Sequence, residues 1–228
     1  MGPVNGGTTG EGIAGVVLAG GENRRFPVLK GFIEVDGTPL IRRNVELLRG
    51  LFSEVFVSTN MPEHYFFLGV PLVGDVLPSR GPMSGIYSCL LNAGGDAVFV
   101  SACDMPFLRA DIVALLCEEH RRASASGRID VTVPVYDGKP QPLLGIYAKT
   151  ALPLLEEGVV SDRTSIKRFF GEASTHFVAE PALRDIDPEG LSFININTPE
   201  DFQRVSDSFP LAIHSTIERN RKPLYEKP

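Results

Sequence analysis

Short apolar runs alternate with segments of helical pattern along most of this chain, and this alternation limits what the chain can fold into. The apolar runs are bounded by glycines, prolines or turn dipeptides, which is typical of buried strands. Strands separated by helices indicate parallel βαβ units, with helices on both faces of one sheet. We therefore predict an α/β fold of three layers with a mostly parallel sheet.

The individual elements follow from the same patterns. Thr38 is the expected N-cap of the first helix, and Thr198, followed by Pro199, is the expected N-cap of the last. Strands are predicted at 16–19, 32–35, 54–59, 69–73, 97–104, 130–135, 143–148, 176–178 and 193–196. Helices are predicted at 40–50, 81–95, 109–120, 150–157, 165–170 and 198–205.

Composition excludes several classes of protein. Hydrophobic residues make up 43% of the 228 residues, enough for a sizeable core. The net charge is −6 and no long basic block is present, so we expect no nucleic-acid partner. No apolar run reaches the roughly 18 residues of a membrane helix, so we expect no membrane partner either. The four histidines are scattered and no GxSxG motif occurs, which argues against a zinc site and a serine hydrolase.

The three cysteines, Cys89, Cys103 and Cys117, have no CxxC spacing and lie in apolar surroundings. We interpret them as small buried hydrophobic residues of a protein from the reducing cytoplasm. The first residues carry no secretory signal. We divide the chain into a flexible glycine-rich arm at 1–12, one domain at 13–205 and a polar appendage at 206–228.

The first predicted strand runs directly into Gly20 and Gly21, and a basic loop with Arg24, Arg25 and Lys30 follows. Neither GxGxxG nor GxxxxGK[ST] is present, so the glycine pair alone is explained by a tight turn. Backbone N–H groups freed by glycines, together with two or three cations, are also typical of a polyphosphate cradle. Both interpretations stay open at this point.

Polar side chains follow other predicted strands, where ligands of open α/β sheets bind. Asp104 ends a buried run, and a buried acid is costly unless a partner such as Mg²⁺ or a local N–H group offsets its charge. Asp75 has the same two interpretations. Turn chemistry explains Asn60 as well as ligand binding does. Asn195 and Asn197 share one face of an extended segment, with ordinary loop chemistry as the alternative for Asn197.

Five sequence blocks occur in order along the chain: Leu18-Ala19-Gly20-Gly21 with Arg25 and Lys30, GTPL at 37–40, GPMSGI at 81–86, ACDMPF at 102–107 and NINTPEDF at 195–202. Together they resemble the molybdenum cofactor guanylyltransferases. The resemblance covers the chain from Gly15 to near Val205. It implies a single Rossmann-like (GT-A-like) nucleotidyltransferase domain, which joins GMP from GTP to molybdopterin, releases pyrophosphate and uses Mg²⁺.

Carried over by position, the resemblance implies a set of site residues. The catalytic residues are Arg25, Lys30 and Asp104, and Asp104 also holds the metal. The nucleotide-binding residues are Leu18, Ala19, Gly20, Gly21, Lys30, Asn60, Asp75 and Asp104. The pterin-binding residues are Gly81, Gly85, Arg163, Asn195 and Asn197. The implied partners are GTP, molybdopterin and other molybdenum cofactor biosynthesis proteins.

The signature loop departs from the family pattern, which usually reads Arg-Met-Gly-x-Asp-Lys. Here residues 25–30 read Arg-Phe-Pro-Val-Leu-Lys, so the acid before the lysine is missing. Pro27 replaces a glycine and has no N–H to donate. Two alternatives stay open, a cytidylyl- or sugar-nucleotide transferase and a non-catalytic nucleotide-binding module. The Gly-Gly pair favours the guanylyl branch, and retention of Lys30 and Asp104 argues against the module.

Overall fold

The computed structural model describes residues 10–20, 30–35, 37–78, 81–162 and 165–208. The strands in chain order are β1 (Ile13–Leu18), β2 (Glu34–Val35), β3 (Thr38–Pro39), β4 (Val55–Ser58), β5 (Leu72–Val73), β6 (Ala97–Ala102), β7 (Val131–Tyr136), β8 (Lys139–Pro140), β9 (Leu144–Ala148) and β10 (Thr175–Val178). The α-helices are α1 (Leu40–Arg49), α2 (Pro82–Asn92), α3 (Ala110–Ser124), α4 (Leu152–Val160), α5 (Ile166–Glu172), α6 (Glu180–Arg184) and α7 (Pro199–Ser208).

The main sheet has the strand order β10-β7-β9-β6-β1-β4-β5, and β8 pairs with β7. β1 lies parallel to both β4 and β6, β4 lies parallel to β5, and β10 lies parallel to β7. β9 is antiparallel to both of its neighbours. The predicted mostly parallel sheet is therefore confirmed, with β9 as the inserted antiparallel strand.

The direction of β9 follows from the short turn after β7. Asp137 and Gly138 both have positive φ, 48° and 68°, which is the conformation of a two-residue hairpin turn. This turn reverses the chain into β8 and then β9 without a helix between the strands. A parallel neighbour needs a crossover of a dozen or more residues, so β9 runs antiparallel to β7.

Helices cover both faces of the sheet, which confirms the three-layer prediction. Alternate residues of β1 point to opposite faces, and Val17 and Val16 belong to two different core clusters. The Val17 cluster contains buried side chains of α1 and α3, while the Val16 cluster contains those of α2, α4 and α5. Every residue of β1 is buried, as expected for a strand covered on both faces.

Two local predictions are wrong. Thr38 does not cap α1, because it pairs with Val35 in a small β2–β3 hairpin, and the helix starts at Leu40 with no side-chain cap. Residues 193–196 do not form a strand, because 191–193 make a 3-10 turn and the next residues bond to a loop. There the Ile196 N–H donates to the carbonyl of Asp104 at 3.0 Å.

The structure confirms the predicted cap of the last helix. The Asp201 N–H donates to the Thr198 hydroxyl at 3.1 Å, which confirms Thr198 as the cap of α7. The three cysteines are free, with Cys89 and Cys117 buried and Cys103 partly buried. No helix in the described part of the chain has the length and apolar character needed to cross a bilayer. Residues 1–9 and 209–228 lie outside the described ranges, so the division into arm, domain and appendage stays a prediction.

The buried His120 generates a prediction about pH. Burial, with a contribution from the nearby His176, lowers the pKa of His120 below its usual value, and its Nδ1 lies 2.9 Å from the Thr132 hydroxyl. The unfolded chain binds a proton near pH 6.5 that the folded chain binds only at lower pH. The free energy of unfolding should therefore be highest above about pH 6.5 and fall as the pH drops below it.

Urea unfolding at several pH values between 5 and 8 measures the slope of the free energy of unfolding against pH. His120→Gln should flatten the slope, because glutamine is neutral throughout this range. The control His64→Gln removes a histidine whose side chain is 46% exposed and should leave the slope in place. A slope that survives in His120→Gln would assign the effect to other groups.

Candidate active site

The carboxyl ends of β1, β4 and β6 meet at one edge of the sheet. Leu18 is in register with Ser58 on one side and with Ala102 on the other. The residues that follow these strands, including Gly20, Asn60 and Asp104, therefore leave the sheet side by side. The structure brings together three of the places that the sequence selected, and their roles stay predictions.

Gly20 follows β1 at this edge. The Ala19 N–H donates to the Ser58 carbonyl at 2.9 Å, so the chain stays paired until it reaches the glycine. Gly20 is exposed, and a Cβ added there would meet no atom of the described residues within 4 Å. Packing against this part of the chain does not require a glycine at position 20, which leaves the cradle interpretation open. Gly21 and Arg25, with the rest of 21–29, lie outside the described residues.

Lys30, Asp104 and Asn197 form a polar cluster at the same edge. Lys30 Nζ lies 3.0 Å from Asp104 Oδ2 and 2.6 Å from Asn197 Oδ1. The Lys30 and Asp104 side chains are 22% and 13% exposed, so water reaches the pair only partly. The partner that offsets the charge of Asp104 is thus a lysine of the same chain. An ammonium has three N–H donors, and these contacts use two of them.

Each member of this cluster is held by a different element. Asp104 follows β6, and Asn197 comes just before α7. Lys30 begins a 3-10 turn whose next residue, Gly31, is buried, and a Cβ there would lie 3.1 Å from the Cβ of Ile41. The close approach of this turn to α1 therefore favours a glycine directly after Lys30.

The oxygen-bearing side chains at this edge fit a metal ion that the phosphates of the substrate help to hold. No group of three or more His, Cys, Asp or Glu side chains able to hold a metal occurs among the described residues. Mg²⁺ usually takes one or two carboxylates, while water and substrate phosphates supply its other ligands. Asp104, with one oxygen bonded to Lys30, fits that limited role. Burial and the neighbouring Asp104 raise the pKa of the Cys103 thiol to about 12, which disfavours its thiolate form near neutral pH.

Asn60 and Asp75 form a second, reciprocal pair at the ends of β4 and β5. Asn60 Nδ2 donates to Asp75 Oδ2 at 2.8 Å, and the Asp75 backbone N–H donates to Asn60 Oδ1 at 2.8 Å. The first bond restrains the Asp75 carboxylate, and the second holds the Asn60 amide against the Asp75 backbone. Asp75 is partly exposed, so its carboxylate remains open to a ligand.

The predicted pterin residues fall into different environments. Gly81 is exposed at the start of α2 with a φ of 75°, whereas Gly85 is buried within the helix. A Cβ on Gly85 would lie 2.6 Å from Ser58 Oγ, so its missing side chain lets α2 pack on the sheet. Asn195 Nδ2 donates to the Phe193 carbonyl at 3.3 Å. Arg163 lies outside the described residues.

Comparisons with known proteins agree with this fold. The model of the MobA-like NTP transferase domain matches residues 15–176. This chain belongs to the MobA-like NTP transferase family. A probable molybdenum cofactor guanylyltransferase of Pelotomaculum thermopropionicum is 33% identical over 82% of this chain and 88% of the relative. The molybdenum cofactor guanylyltransferase of Desulfosudis oleivorans is 31% identical over 85% of this chain and 94% of that protein.

A solved structure is also similar over most of its length. The molybdopterin-guanine dinucleotide biosynthesis protein A from Archaeoglobus fulgidus superposes with a TM-score of 0.75 at 27% sequence identity. The match covers 86% of this chain and 97% of that structure. The predicted nucleotidyltransferase fold is thereby confirmed.

Sequence reasoning missed one residue that supports the site of this MobA-like domain. Asn44 is 3% exposed on α1, and its Nδ2 donates to the carbonyl of Ala102 at 3.3 Å, two residues before Asp104. The signal was available, because Asn44 occupies the apolar helix position between Leu40 and Leu48. A polar residue at a core-facing position usually has a buried partner.

The packing of Gly85 generates a stability prediction. Gly85→Ala should lower the free energy of unfolding by about 1–2 kcal/mol, since overpacking costs roughly 1–3 kcal/mol and the better helix propensity of alanine returns up to about 1 kcal/mol. Thermal unfolding measures the change. Adding Ser58→Ala should recover most of the loss, because it removes the hydroxyl that the new methyl group meets.

Gly171→Ala is the matched control for this prediction. Gly171 also lies in a helix, but a Cβ there meets nothing within 4 Å. This variant should be neutral or stabilising. A Gly85→Ala protein that is stabilised to the same degree would contradict the packing role.

Proposed function

We propose that this MobA-like protein transfers GMP from GTP to molybdopterin, forming molybdopterin guanine dinucleotide and releasing pyrophosphate. The observation that carries the proposal is the cluster of Lys30, Asp104 and Asn197 at the carboxyl edge of the sheet. Its three residues lie in blocks shared with the molybdenum cofactor guanylyltransferases. The curated relatives at 33% and 31% identity carry that name and match over most of their length.

The reaction needs little covalent chemistry from the protein. A phosphate oxygen of molybdopterin attacks the α-phosphorus of GTP, a new P–O bond forms, and the bond to the pyrophosphate oxygen breaks. No general base is required, because the attacking phosphate is already anionic. The protein aligns the two phosphates and stabilises charge that grows on the leaving pyrophosphate.

The cluster residues have specific roles in this scheme. The third N–H of Lys30 donates to a phosphate oxygen, and Arg25 of the same sequence block is the proposed second cation. Asp104 would hold Mg²⁺, and the bound ion would neutralise part of the negative charge of the triphosphate. Backbone N–H groups near Gly20 and Gly21 complete the phosphate contacts.

Asp75 is the proposed reader of the base. A carboxylate presents two acceptor oxygens, and the Watson–Crick edge of guanine presents two adjacent donors, N1–H and the 2-amino group. Cytosine and adenine each have a ring-nitrogen acceptor in place of one of these donors. The lone pair of that nitrogen would therefore face one of the carboxylate oxygens. The bond from Asn60 Nδ2 to Asp75 Oδ2 restrains the carboxylate. This restraint favours recognition of two adjacent donors on the base.

The remaining parts of the proposal concern partners and location. We propose GTP and molybdopterin as substrates, and other molybdenum cofactor biosynthesis proteins as partners. Gly81, Gly85, Arg163, Asn195 and Asn197 remain the predicted pterin side, and Asn197 also contacts Lys30. A cytoplasmic location is supported by the three free thiols, since disulfides are rare in that compartment.

Pyrophosphate release, measured with each nucleoside triphosphate and with or without molybdopterin, tests the proposal. We expect release only with molybdopterin, in the order GTP, then ITP, then CTP and ATP. ITP lacks the 2-amino group, so it should lose about 10- to 150-fold, the range for one hydrogen bond to a charged group. Asp75→Ala should flatten the order by harming GTP most.

The exposed Asp185, at the end of α6, supplies the matched control. Asp185→Ala should keep every ratio between nucleotides. A wild-type preference for CTP would move the protein to the cytidylyl branch, and GTP binding without pyrophosphate release would support the non-catalytic module.

Asp104 generates a prediction about magnesium. Asp104→Asn keeps the shape of the side chain but removes its charge, so activity should fall and the Mg²⁺ titration should shift to higher concentration. Calorimetric titration of Mg²⁺ into the GTP-bound protein provides a readout other than turnover. An Asp104→Asn protein with an unchanged magnesium titration would show that Asp104 does not hold the metal and would leave it only its ion pair with Lys30.

A further inference from the structure

The segment 194–198 leads into the last helix and contacts both the loop that carries Asp104 and the side chain of Lys30. The Ile196 N–H donates to the carbonyl of Asp104 at 3.0 Å, so the segment is attached to the loop after β6. The Ile196 side chain is fully buried in a cluster with Ile33 and Leu40. Since Ile33 follows the turn that carries Lys30, the same small core joins this segment to the lysine.

The start of α7 fixes the backbone of Asn197. Asp201 Oδ2 accepts the N–H of Asn197 at 3.1 Å and the N–H of Thr198 at 3.0 Å. In return the Asp201 N–H donates to the Thr198 hydroxyl at 3.1 Å, which completes a capping box. The extra bond to Asn197 extends the box by one residue toward the site. Asn197 is thereby held from both sides, through Ile196 and through Asp201.

The side chain of Asn197 then provides a second acceptor for Lys30. A lysine has a long flexible stem, and one ion pair does not define where its ammonium lies. Asp104 forms an ion pair with the ammonium, whereas the neutral Asn197 Oδ1 orients it at 2.6 Å without adding a second negative charge. An oriented ammonium that keeps its charge is what a developing phosphate charge requires.

We propose that Asn197 is a positioning residue for the Lys30 ammonium and that Asp201 acts through Asn197. The role in catalysis rests on the proposed function, while the positioning itself does not. The proposal differs from a direct pterin contact by Asn197, because it places the effect of Asn197 on the nucleotide side of the reaction and makes it depend on Lys30.

NMR of the full chain tests the positioning without any substrate. The ¹H–¹⁵N signal of the Lys30 ammonium, assigned by its loss in Lys30→Met, should be visible at low temperature because two acceptors protect it from exchange. Asn197→Ala and Asp201→Ala should broaden or remove this signal. Asn197→Asp should retain it, because a carboxylate oxygen can replace the amide oxygen as acceptor.

Glu200→Gln is the matched control, since Glu200 is exposed and neighbours Asp201 on the same helical turn. This variant removes one negative charge from α7, as Asp201→Ala does, and should leave the Lys30 signal unchanged. A Lys30 signal that persists in Asn197→Ala, with the fold intact by thermal unfolding, would overturn the proposal.

A double-mutant cycle on turnover tests the consequence for the reaction. Lys30→Ala should lower turnover about 10²–10³-fold, as expected for one preorganised electrostatic donor. Asn197→Ala should lower turnover about 10- to 100-fold in the wild-type background and less than about 2-fold in the Lys30→Ala background. Losses that multiply, with a raised KM for molybdopterin in both backgrounds, would assign Asn197 to the pterin and overturn the proposal.

The two measurements separate this proposal from the proposed function. A wild-type protein without guanylyl transfer would refute the function, and the Lys30 signal would still decide the positioning. Active wild-type protein with an Asn197-independent Lys30 signal would refute the positioning and leave the function in place.

Discussion

The parallel pairing of β1 with both β4 and β6 is the constraint on which the rest of the structure depends. All six residues of β1 are buried, and the strand lies between its two partners with Leu18 opposite both Ser58 and Ala102. Because the three strands end together, every loop that leaves them opens at the same edge. The site follows from this register more than from any single side chain.

The register also explains why small residues occur where they do. Gly85 lets α2 approach the ends of β1 and β4, and Gly31 lets the turn after the basic loop approach α1. Both helices thus reach the carboxyl edge, one on each face of the sheet. The protein has a net charge of −6, and yet this edge holds a lysine whose charge only Asp104 offsets among its described contacts.

The sequence predicted most of the fold because local pattern and tertiary structure agree in the core. The apolar runs of β1 and β6 are covered on both faces, so their composition alone identifies them. Prediction failed where tertiary contacts override local preference. Residues 193–196 have the composition of a strand, but the Ile196 N–H bonds to a loop carbonyl instead of a neighbouring strand. The direction of β9 depended on the turn at Asp137 and Gly138, whose consequence the alternating pattern did not reveal.

The candidate site was predicted in part for the same reason. Asp104 and Lys30 were found because they stand next to strand ends and glycines, which are local signals. Their contact with Asn197 was not predictable from pattern, since Lys30 and Asn197 are 167 residues apart. Asn44 interrupts an apolar helix face but was not predicted as a site residue. The apolar pattern predicts the helix and does not identify the buried partner of a polar residue on that face.

The long separation between Lys30 and Asn197 has a consequence for synthesis of the chain. Domains generally fold as units, and the loop between two distant residues must close before their contact adds stability. The Ile196 side chain belongs to the same buried cluster as Ile33, which directly follows the turn that carries Lys30. A chain made only as far as α6 therefore lacks both the amide that contacts Lys30 and part of the core beneath its turn. The site is complete only when nearly the whole domain has been made.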